Sequence, residues 1–172
     1  MPSLRYGMTV AHASSQISVE DYLDGEQTAE IKHDYVDGCV FAMAGASVRH
    51  NQIASNSLGS LHGSLRGKPC RPFNSDMKIR VRFPTHTRFY YPDVSVICRS
   101  NPDDDQFQDE PVVLVEVLSE STRRTDQSEK KDAYLTIPSL DVYIMLEQDT
   151  VAAVVYRRTS SGFDREVYEG LD

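Results

Sequence analysis

Two acidic residues, each set inside a run of apolar residues, constrain this chain more than any other feature of its sequence. Asp93 lies in Tyr-Tyr-Pro-Asp-Val-Ser-Val-Ile-Cys, residues 90–98, and Glu116 lies in Pro-Val-Val-Leu-Val-Glu-Val-Leu-Ser, residues 111–119. Both runs are rich in β-branched residues, which predicts two buried strands. Buried carboxylates are costly unless they are paired or bind a metal, and two neighbouring ones repel unless a cation lies between them. The pair therefore predicts a site for Mg²⁺ or a similar hard cation.

Length and composition are those of an ordinary globular protein. The chain has 172 residues, of which 40% are hydrophobic and 26% are charged, so we expect residues 1–172 to form a single domain with its own core. Residues 1–14 are expected to be peripheral to it. The sequence has neither a long apolar span nor the apolar core of a signal peptide, which predicts a cytoplasmic protein without a membrane segment.

The three cysteines, Cys39, Cys70 and Cys98, do not have the spacing of a metal site. Their number is odd, and Cys39 and Cys98 lie in strand-like runs. We therefore expect these two to be reduced residues of the core.

The net charge of −8 by itself argues against a dedicated nucleic-acid-binding protein, but the charges are unevenly distributed. Residues 64–92 carry seven bases and one acid, whereas residues 93–122 carry one base and eight acids. In the basic segment Lys78, Arg80 and Arg82 alternate with apolar residues, which predicts a strand with one buried and one basic face. Such a strand beside an acidic centre suits an enzyme that binds phosphates and a metal. A solvated two-faced hairpin has the same pattern.

The order of the predicted elements indicates an α/β (α+β) fold with a central mixed β-sheet flanked by helices, preceded by an N-terminal helix and a β-hairpin. A capping box over residues 18–21 begins the first helix, and Asp37-Gly38 is the hairpin turn. The later elements are a helix over 47–65, strands over 69–83 and around Asp93, a polar surface loop over 101–110, a strand around Glu116, a helix over 126–136, and strands over 141–147, 151–158 and 163–168.

In this order of elements the chain resembles the PD-(D/E)XK nuclease superfamily, and seven phrases resemble one of its members, the Uma-two family of restriction-endonuclease-like proteins. The resemblance covers about residues 15–160. One such phrase alone is weak support, whereas seven in the right order are specific. The phrases are His33-Asp-Tyr-Val-Asp-Gly, Ala42-Met-Ala-Gly-Ala-Ser-Val-Arg-His50, Cys70-Arg-Pro-Phe-Asn-Ser-Asp-Met77, Tyr91-Pro-Asp-Val-Ser-Val96, Val115-Glu-Val-Leu-Ser-Glu-Ser-Thr122, Asp126-x-x-x-Lys130-x-x-x-Tyr134 and Ile137-Pro-Ser-Leu-Asp-Val-Tyr143.

The resemblance implies that Asp93 and Glu116 bind one or two Mg²⁺ or Mn²⁺ ions. The superfamily usually has a lysine two residues after the second acid, but this chain has Leu118 there. The family's substitute is a lysine on the following helix, which here is Lys130. It would orient or activate the attacking water, or stabilise the developing negative charge.

The resemblance also implies a further acid from the N-terminal part of the site. Asp34 occupies a family position that is usually Glu, and it is our candidate. Because Asp126, Lys130 and Tyr134 are four residues apart, they share one helical face. The remaining accessory candidates are His50, Gln52, Asp76, Asp126 and Tyr134.

The predicted function is that of a metal-dependent endonuclease that hydrolyses DNA phosphodiester bonds. Asp93, Glu116, Lys130 and Asp34 would carry the chemistry, and Lys78, Arg80 and Arg82 would bind the nucleic-acid backbone. A homodimer is expected by resemblance, since duplex DNA presents two strands related by a twofold axis. The alternative is a catalytically degenerate nuclease fold that serves as a DNA- or protein-binding regulatory module. RNA, or branched or single-stranded DNA, as the substrate also stays open.

Overall fold

The computed structural model describes residues 16–170, so the segment 1–14, expected to be peripheral, lies outside the described residues. The elements are α1 Val19–Glu26, β1 His33–Val36, β2 Cys39–Ala42, α2 Val48–Leu65, β3 Arg71–Asn74, β4 Lys78–Arg82, β5 Thr87–Tyr90, β6 Val94–Ile97, β7 Phe107–Gln108, β8 Pro111–Val117, α3 Arg123–Gln127, α4 Glu129–Tyr134, β9 Val142–Leu146, β10 Ala152–Thr159 and β11 Gly162–Glu169.

The strands form two sheets rather than one central sheet. The first has the order β2-β1-β5-β4-β7 and the second has the order β11-β10-β9-β8-β6-β3. Both are mixed, because β4 pairs with β7 and β8 pairs with β9 in parallel, while the other pairs are antiparallel. The predicted α+β class with mixed sheets and flanking helices is confirmed.

The N-terminal helix and hairpin form as their sequence signals predict. The Ser18 side chain caps α1 by accepting a hydrogen bond from the backbone N–H of Asp21. The turn between β1 and β2 places Asp37 at φ 52° and Gly38 at φ 89°, the left-handed conformations that a tight hairpin turn requires. The hairpin pairs Asp34 with Phe41 across the two strands, so Asp34 has a fixed place on its sheet.

The longest helix, α2, begins directly after Ser47, whose side chain accepts a hydrogen bond from the backbone N–H of His50. The 18 residues of α2 include many small polar ones, in agreement with the prediction over 47–65. Within residues 16–170, every helix is too short or too polar to cross a membrane.

The helix expected over 126–136 is two short helices, α3 and α4, which begin earlier and meet at Ser128. Ser128 has φ −125° and ψ −87°, so the helical path is interrupted there. The backbone N–H of Asp132 nevertheless bonds to the Ser128 carbonyl. Helix α4 thus starts at the residue that ends α3. Asp126 of α3 and Lys130 and Tyr134 of α4 are all buried.

The cysteine expectation is wrong. Cys70 and Cys98 form a disulfide, which joins the residue before β3 to the residue after β6, and Cys39 is exposed. The pairing of β3 with β6 sets Arg71 opposite Ile97, so the two cysteines flank the last pair of this ladder. The number and spacing of the cysteines do not predict the disulfide. Contact between Cys70 and Cys98 depends on the pairing of β3 with β6, which are distant in sequence.

Candidate active site

The acidic side chains meet where the chain passes from one sheet to the other. Residues 91–93 connect β5 of the first sheet to β6 of the second. Antiparallel pairing of β6 with β8 sets Val94 opposite Val115, so Asp93 lies beside the end of β8 that carries Glu116. The two predicted strands are neighbours, with Glu116 in β8 and Asp93 in the connection directly before β6.

Asp93 is held by hydrogen bonds to both of its oxygens. Its Oδ2 accepts from the backbone N–H of Val117 at 2.7 Å, and its Oδ1 lies 2.8 Å from Nε2 of His50. The bond to Asp93 raises the pKa of His50 above its usual value, although burial opposes the shift. The structure thus brings His50 to the site through Asp93.

Lys130 lies in the middle of three carboxylates. Its Nζ is 3.5 Å from Oε1 of Glu116 and 3.6 Å from both Oδ2 of Asp34 and Oδ1 of Asp126. The Lys130 side chain is only 6% exposed. These distances are longer than an ordinary charge-assisted hydrogen bond, so the ammonium group lies between the acids without closing on any one of them.

Tyr134 and Asp126 complete the inner surface of the site. The Tyr134 hydroxyl donates a hydrogen bond to Oε1 of Glu116 at 3.1 Å. Oδ1 of Asp126 is buried and has no hydrogen-bond partner among the described residues. That oxygen faces the Lys130 ammonium at 3.6 Å, beyond hydrogen-bond distance, so a closer cation or a proton would be favourable there.

Asp34 reaches the cluster from the first sheet. Its Oδ1 accepts a hydrogen bond from the backbone N–H of Tyr91 at 3.1 Å, and its other oxygen faces Lys130. Asp34 thus lies with Glu116 and Asp126 around a single lysine. The further acid expected from the N-terminal part of the chain is therefore near Glu116, and its catalytic role stays a prediction.

The cluster buries more carboxyl groups than it has basic groups to balance them. Burial raises the pKa of Glu116 well above its usual range, and it also raises the pKa values of Asp34 and Asp126, despite the opposing effect of Lys130. Burial by itself lowers the pKa of Lys130, but the carboxylates of Glu116, Asp34 and Asp126 outweigh it and raise the pKa above the usual value. Lys130 therefore stays protonated at neutral pH, and the carboxylates are the groups that would take up protons.

Two of the accessory candidates face elsewhere. Gln52 is exposed and donates a hydrogen bond to Asn56 within α2. Asp76 is exposed and forms an ion pair with Lys32. Their accessory role stays a prediction, without a contact to the acidic cluster among those described.

The basic strand differs from its expected form. Lys78 is buried and donates a hydrogen bond to the Tyr91 hydroxyl, while Arg80 makes two hydrogen bonds of 2.7 Å to Asp109. Arg82 is largely exposed and touches the same carboxylate at 3.2 Å. The acidic segment expected to be a loop contains the short strand β7, which pairs with β4 and brings Asp109 to the arginines. Of the three bases, Arg82 is the most accessible.

Sequence reasoning missed the part that Tyr91 and Glu26 have beside the site. The Tyr91 hydroxyl donates to Oε2 of Glu26 at 2.8 Å, while the Tyr91 backbone holds Asp34. No sequence pattern singled out either residue as part of the site. The pairing could not be found from spacing, because 65 positions separate the two residues.

The residues of the site fit a hard divalent cation by their chemistry. Carboxylate oxygens are the ligands that Mg²⁺ and Mn²⁺ prefer. The raised pKa values of Asp34, Glu116 and Asp126 show that the single ammonium of Lys130 does not offset the burial of the carboxyls. As the side chains stand, no three acids, histidines or cysteines within residues 16–170 form a ready-made cluster for an ion. Lys130 lies between the acids, so binding would require side chains to shift around it.

Comparison of the sequence with known proteins identifies its family. The sequence model of the Uma2 family, described as “Putative restriction endonuclease”, matches residues 19–171. Uncharacterized protein slr1290 of Synechocystis is 35% identical over 161 residues, covering 89% of this chain and 82% of the relative. Uncharacterized protein sll1609 of the same organism is 30% identical over 144 residues, covering 82% and 80%. These matches confirm the resemblance inferred from the seven phrases.

A solved structure shares the fold. It is a “putative nuclease belonging to DUF820” from Anabaena variabilis, with a TM-score of 0.66 over 83% of this chain and 79% of that one. The two sequences are 18% identical, so this likeness bears on the fold alone.

Proposed function

The chain belongs to the Uma2 family of restriction-endonuclease-like proteins, and from this premise we propose that it hydrolyses phosphodiester bonds of DNA with the help of Mg²⁺ or Mn²⁺. The observation that carries the proposal is the grouping of four carboxylates, Asp34, Asp93, Glu116 and Asp126, with Lys130. An ion pair of one acid and one base would suffice for a structural role, whereas this group has acids in excess.

Asp93 and Glu116 are the proposed ligands of one or two ions, with Asp34 and Asp126 in support. When bound, a divalent ion polarises a phosphoryl oxygen and lowers the pKa of a bound water. The Val117 N–H and His50 orient Asp93 through its two oxygens, and the Tyr134 hydroxyl orients Glu116. A ligand with a fixed orientation loses little entropy when it binds the ion.

Lys130 is proposed to stabilise negative charge on the phosphoryl group. Its raised pKa makes its ammonium a poor proton acceptor, so removal of a proton from water is a less suitable role for it. An ammonium group held 3.5 to 3.6 Å from three carboxylates can move toward a phosphate oxygen without breaking a short hydrogen bond. Charge stabilisation of this kind is commonly the largest contribution to catalysis.

Contact with the DNA backbone is proposed for Arg82 more than for its two neighbours, because Lys78 is buried and Arg80 is engaged by Asp109. The net charge of −8 leaves little general attraction for a polyanion. Binding is therefore expected to depend on few phosphate contacts and on the divalent ion. A homodimer, one copy for each strand of a duplex, is part of the proposal.

The test is nicking of supercoiled plasmid DNA with Mn²⁺, which tolerates varied ligand geometry better than Mg²⁺. Wild type is compared with Glu116→Gln and Lys130→Met. The matched controls are Glu120→Gln, an exposed acid just past β8, and Lys131→Met, the next lysine on α4. Nicking by wild type and both controls, with loss in Glu116→Gln and Lys130→Met, is the expected result. Equal nicking by all five proteins would come from a contaminant or another site and would refute the proposal.

The degenerate binding module is the second candidate. It is favoured by one observation, the lysine that already lies among the acids and offsets part of their charge. Under this alternative, wild type neither nicks DNA nor gains thermal stability from Mn²⁺. An ion at 100 times its Kd would stabilise the fold by about 2.7 kcal/mol, so a flat melting temperature across a Mn²⁺ titration would favour the module.

A further inference from the structure

A second buried polar network lies behind Asp34, on the side of the first sheet that α1 covers. The Tyr91 hydroxyl is its centre: it donates to Oε2 of Glu26 at 2.8 Å and accepts from Nζ of Lys78 at 3.1 Å. The other oxygen of Glu26 lies 2.8 Å from Nδ1 of His33. Tyr91 and Lys78 are each 4% exposed, and the Glu26 side chain is 5% exposed.

This network is connected to the active site through one residue. Tyr91 uses its side chain in the network and its backbone N–H to hold Oδ1 of Asp34 at 3.1 Å. The next residue, Pro92, has no N–H to donate, and the one after it is Asp93. The position of the Tyr91 ring therefore helps to fix the path of residues 91–93 between the two sheets. The same path sets the positions of Asp34 and Asp93.

Packing alone does not explain the charged residues of this network. The neighbouring core of α1 and the first sheet is aromatic, built from Tyr22, Tyr35 and Phe89, and an apolar side chain would pack there without a charged partner. A buried acid and a buried lysine in the same place are seldom better for stability than apolar residues of similar size. Polar groups fix direction as well as position, which is what a ligand-bearing segment needs.

We infer that Tyr91, clamped at its hydroxyl by Glu26 and Lys78, is a positioning residue that holds Asp34 and Asp93 in place for the proposed reaction. This inference rests on the proposed function for its purpose, but the positioning itself is a property of the metal-free protein. The ring is further fixed by two ammonium groups, since Nζ of Lys78 and of Lys32 lie 5.2 Å and 5.5 Å from its centroid, within cation–π range.

The test uses Tyr91→Phe, which removes the hydroxyl and keeps the ring and the backbone N–H. Tyr35→Phe is the matched control, because Tyr35 is a buried tyrosine of the same aromatic core whose hydroxyl donates a hydrogen bond to the Ile17 carbonyl, outside the network. Both variants should lose a similar amount of thermal stability. Only Tyr91→Phe should accelerate amide hydrogen exchange at residue 91, by about tenfold, in the absence of metal.

The second readout is on the loaded protein. Tyr91→Phe should weaken Mn²⁺ binding or lower kcat by about 10- to 100-fold, the usual effect of losing an outer contact of a metal ligand, with an unchanged KM for DNA. Glu26→Gln, which keeps an acceptor for the hydroxyl, should be milder than Glu26→Ala. Combined with Asp34→Asn, the Tyr91→Phe effect on Mn²⁺ affinity should be smaller than in the wild-type background, because Tyr91 acts in part through Asp34.

The inference is overturned if Tyr91→Phe and Tyr35→Phe behave alike in amide exchange, or if the effects of Tyr91→Phe and Asp34→Asn on Mn²⁺ affinity are additive. If wild type neither binds Mn²⁺ nor nicks DNA, the proposed function fails by itself. Amide exchange at residue 91 then still decides whether the hydroxyl holds the crossing in place.

Discussion

The cluster around Lys130 and the network around Tyr91 are both buried and adjoin at Asp34, but they are built in opposite ways. In the first, Lys130 stands 3.5 to 3.6 Å from three carboxylates, and Oδ1 of Asp126 has no hydrogen-bond partner among the described residues. In the second, the Tyr91 hydroxyl has partners at 2.8 and 3.1 Å. The first has acids in excess, whereas the second sets Glu26 against Lys78 and His33.

The difference indicates which cluster is the place for a ligand. Polar groups that satisfy one another at short distance define a structure and leave nothing for a further partner. Groups that are buried, crowded by like charge and incompletely bonded are destabilising, and such strain is common at functional sites. We therefore propose the Lys130 cluster as the site, with the Tyr91 network as its support.

The largest expected effect is that of Glu116→Gln on cleavage. Removing the charge of a proposed ligand should reduce Mn²⁺-dependent nicking by roughly 1000-fold or more, judged from losses of charge-stabilising groups in other enzymes. The amide is nearly the same size as the carboxyl and relieves the repulsion among the acids, so the fold should survive. Rates of plasmid nicking and a urea titration measure the two effects. Full activity in Glu116→Gln would place the chemistry elsewhere.

Lys130→Met should cost about 3–5 kcal/mol of unfolding free energy, since it leaves buried carboxylates without their cation. Lys131→Met, on the neighbouring and more exposed position, should stay within about 0.5 kcal/mol of wild type. Urea unfolding of the two variants side by side gives both values. A Lys130→Met protein as stable as wild type would mean that the acids are already neutralised by protons.

The pH dependence of stability should separate the two clusters further. Because the pKa values of Asp34, Glu116 and Asp126 are raised by burial, the folded protein retains protons that the unfolded chain releases above about pH 4. This contribution to stability is complete below that pH and is lost as the pH rises through each raised pKa, at about 1.4 kcal/mol per unit of raised pKa.

Urea unfolding at pH 5 and pH 8 without divalent ions should therefore show the cluster's contribution falling with pH. Glu116→Gln should have a flatter profile than wild type, because it removes the group with the strongly raised pKa. Tyr22→Phe serves as the control and should keep the wild-type slope. Identical slopes in wild type and Glu116→Gln would contradict the assignment of surplus charge to this cluster.

The smallest expected effect is that of Arg82→Ala, at the exposed end of the basic strand. Its single contact with Asp109 at 3.2 Å is an exposed ion pair, so stability should change by at most about 1 kcal/mol. If Arg82 contacts a DNA phosphate, the salt dependence of binding should lose about one unit of its logarithmic slope. Fluorescence anisotropy with a labelled duplex at several salt concentrations measures it, and an unchanged slope would remove Arg82 from the interface.

Local patterns in the sequence predicted most of the framework. The cap at Ser18, the Asp37-Gly38 turn, the cap at Ser47 and the apolar strands beside Asp93 and around Glu116 depend on short-range signals, and the structure bears them out. Helical spacing likewise predicted that Asp126, Lys130 and Tyr134 would share a face, and all three are buried although Ser128 interrupts the helix.

What the patterns did not predict depends on contacts between distant parts of the chain. The alternation of Lys78, Arg80 and Arg82 suggested a free basic face, but whether a base is free depends on which acid folds next to it, and Asp109 came from a segment that looked like a loop. The Cys70–Cys98 disulfide, the division into two sheets and the clamp on Tyr91 are of the same kind. The periodicity of a sequence predicts which face of a strand is buried, but it does not predict which residues contact that strand.

The most direct test of the central claim, that the Lys130 cluster takes up a divalent cation, is calorimetric titration of Mn²⁺ into the metal-free protein in buffers of different ionisation enthalpy. Because carboxylates with raised pKa values must release their protons to bind an ion, we predict saturable binding near pH 6 with net proton release, both lost in Glu116→Gln and kept in Glu120→Gln. No binding by wild type, or equal binding and proton release in Glu116→Gln, would contradict the account.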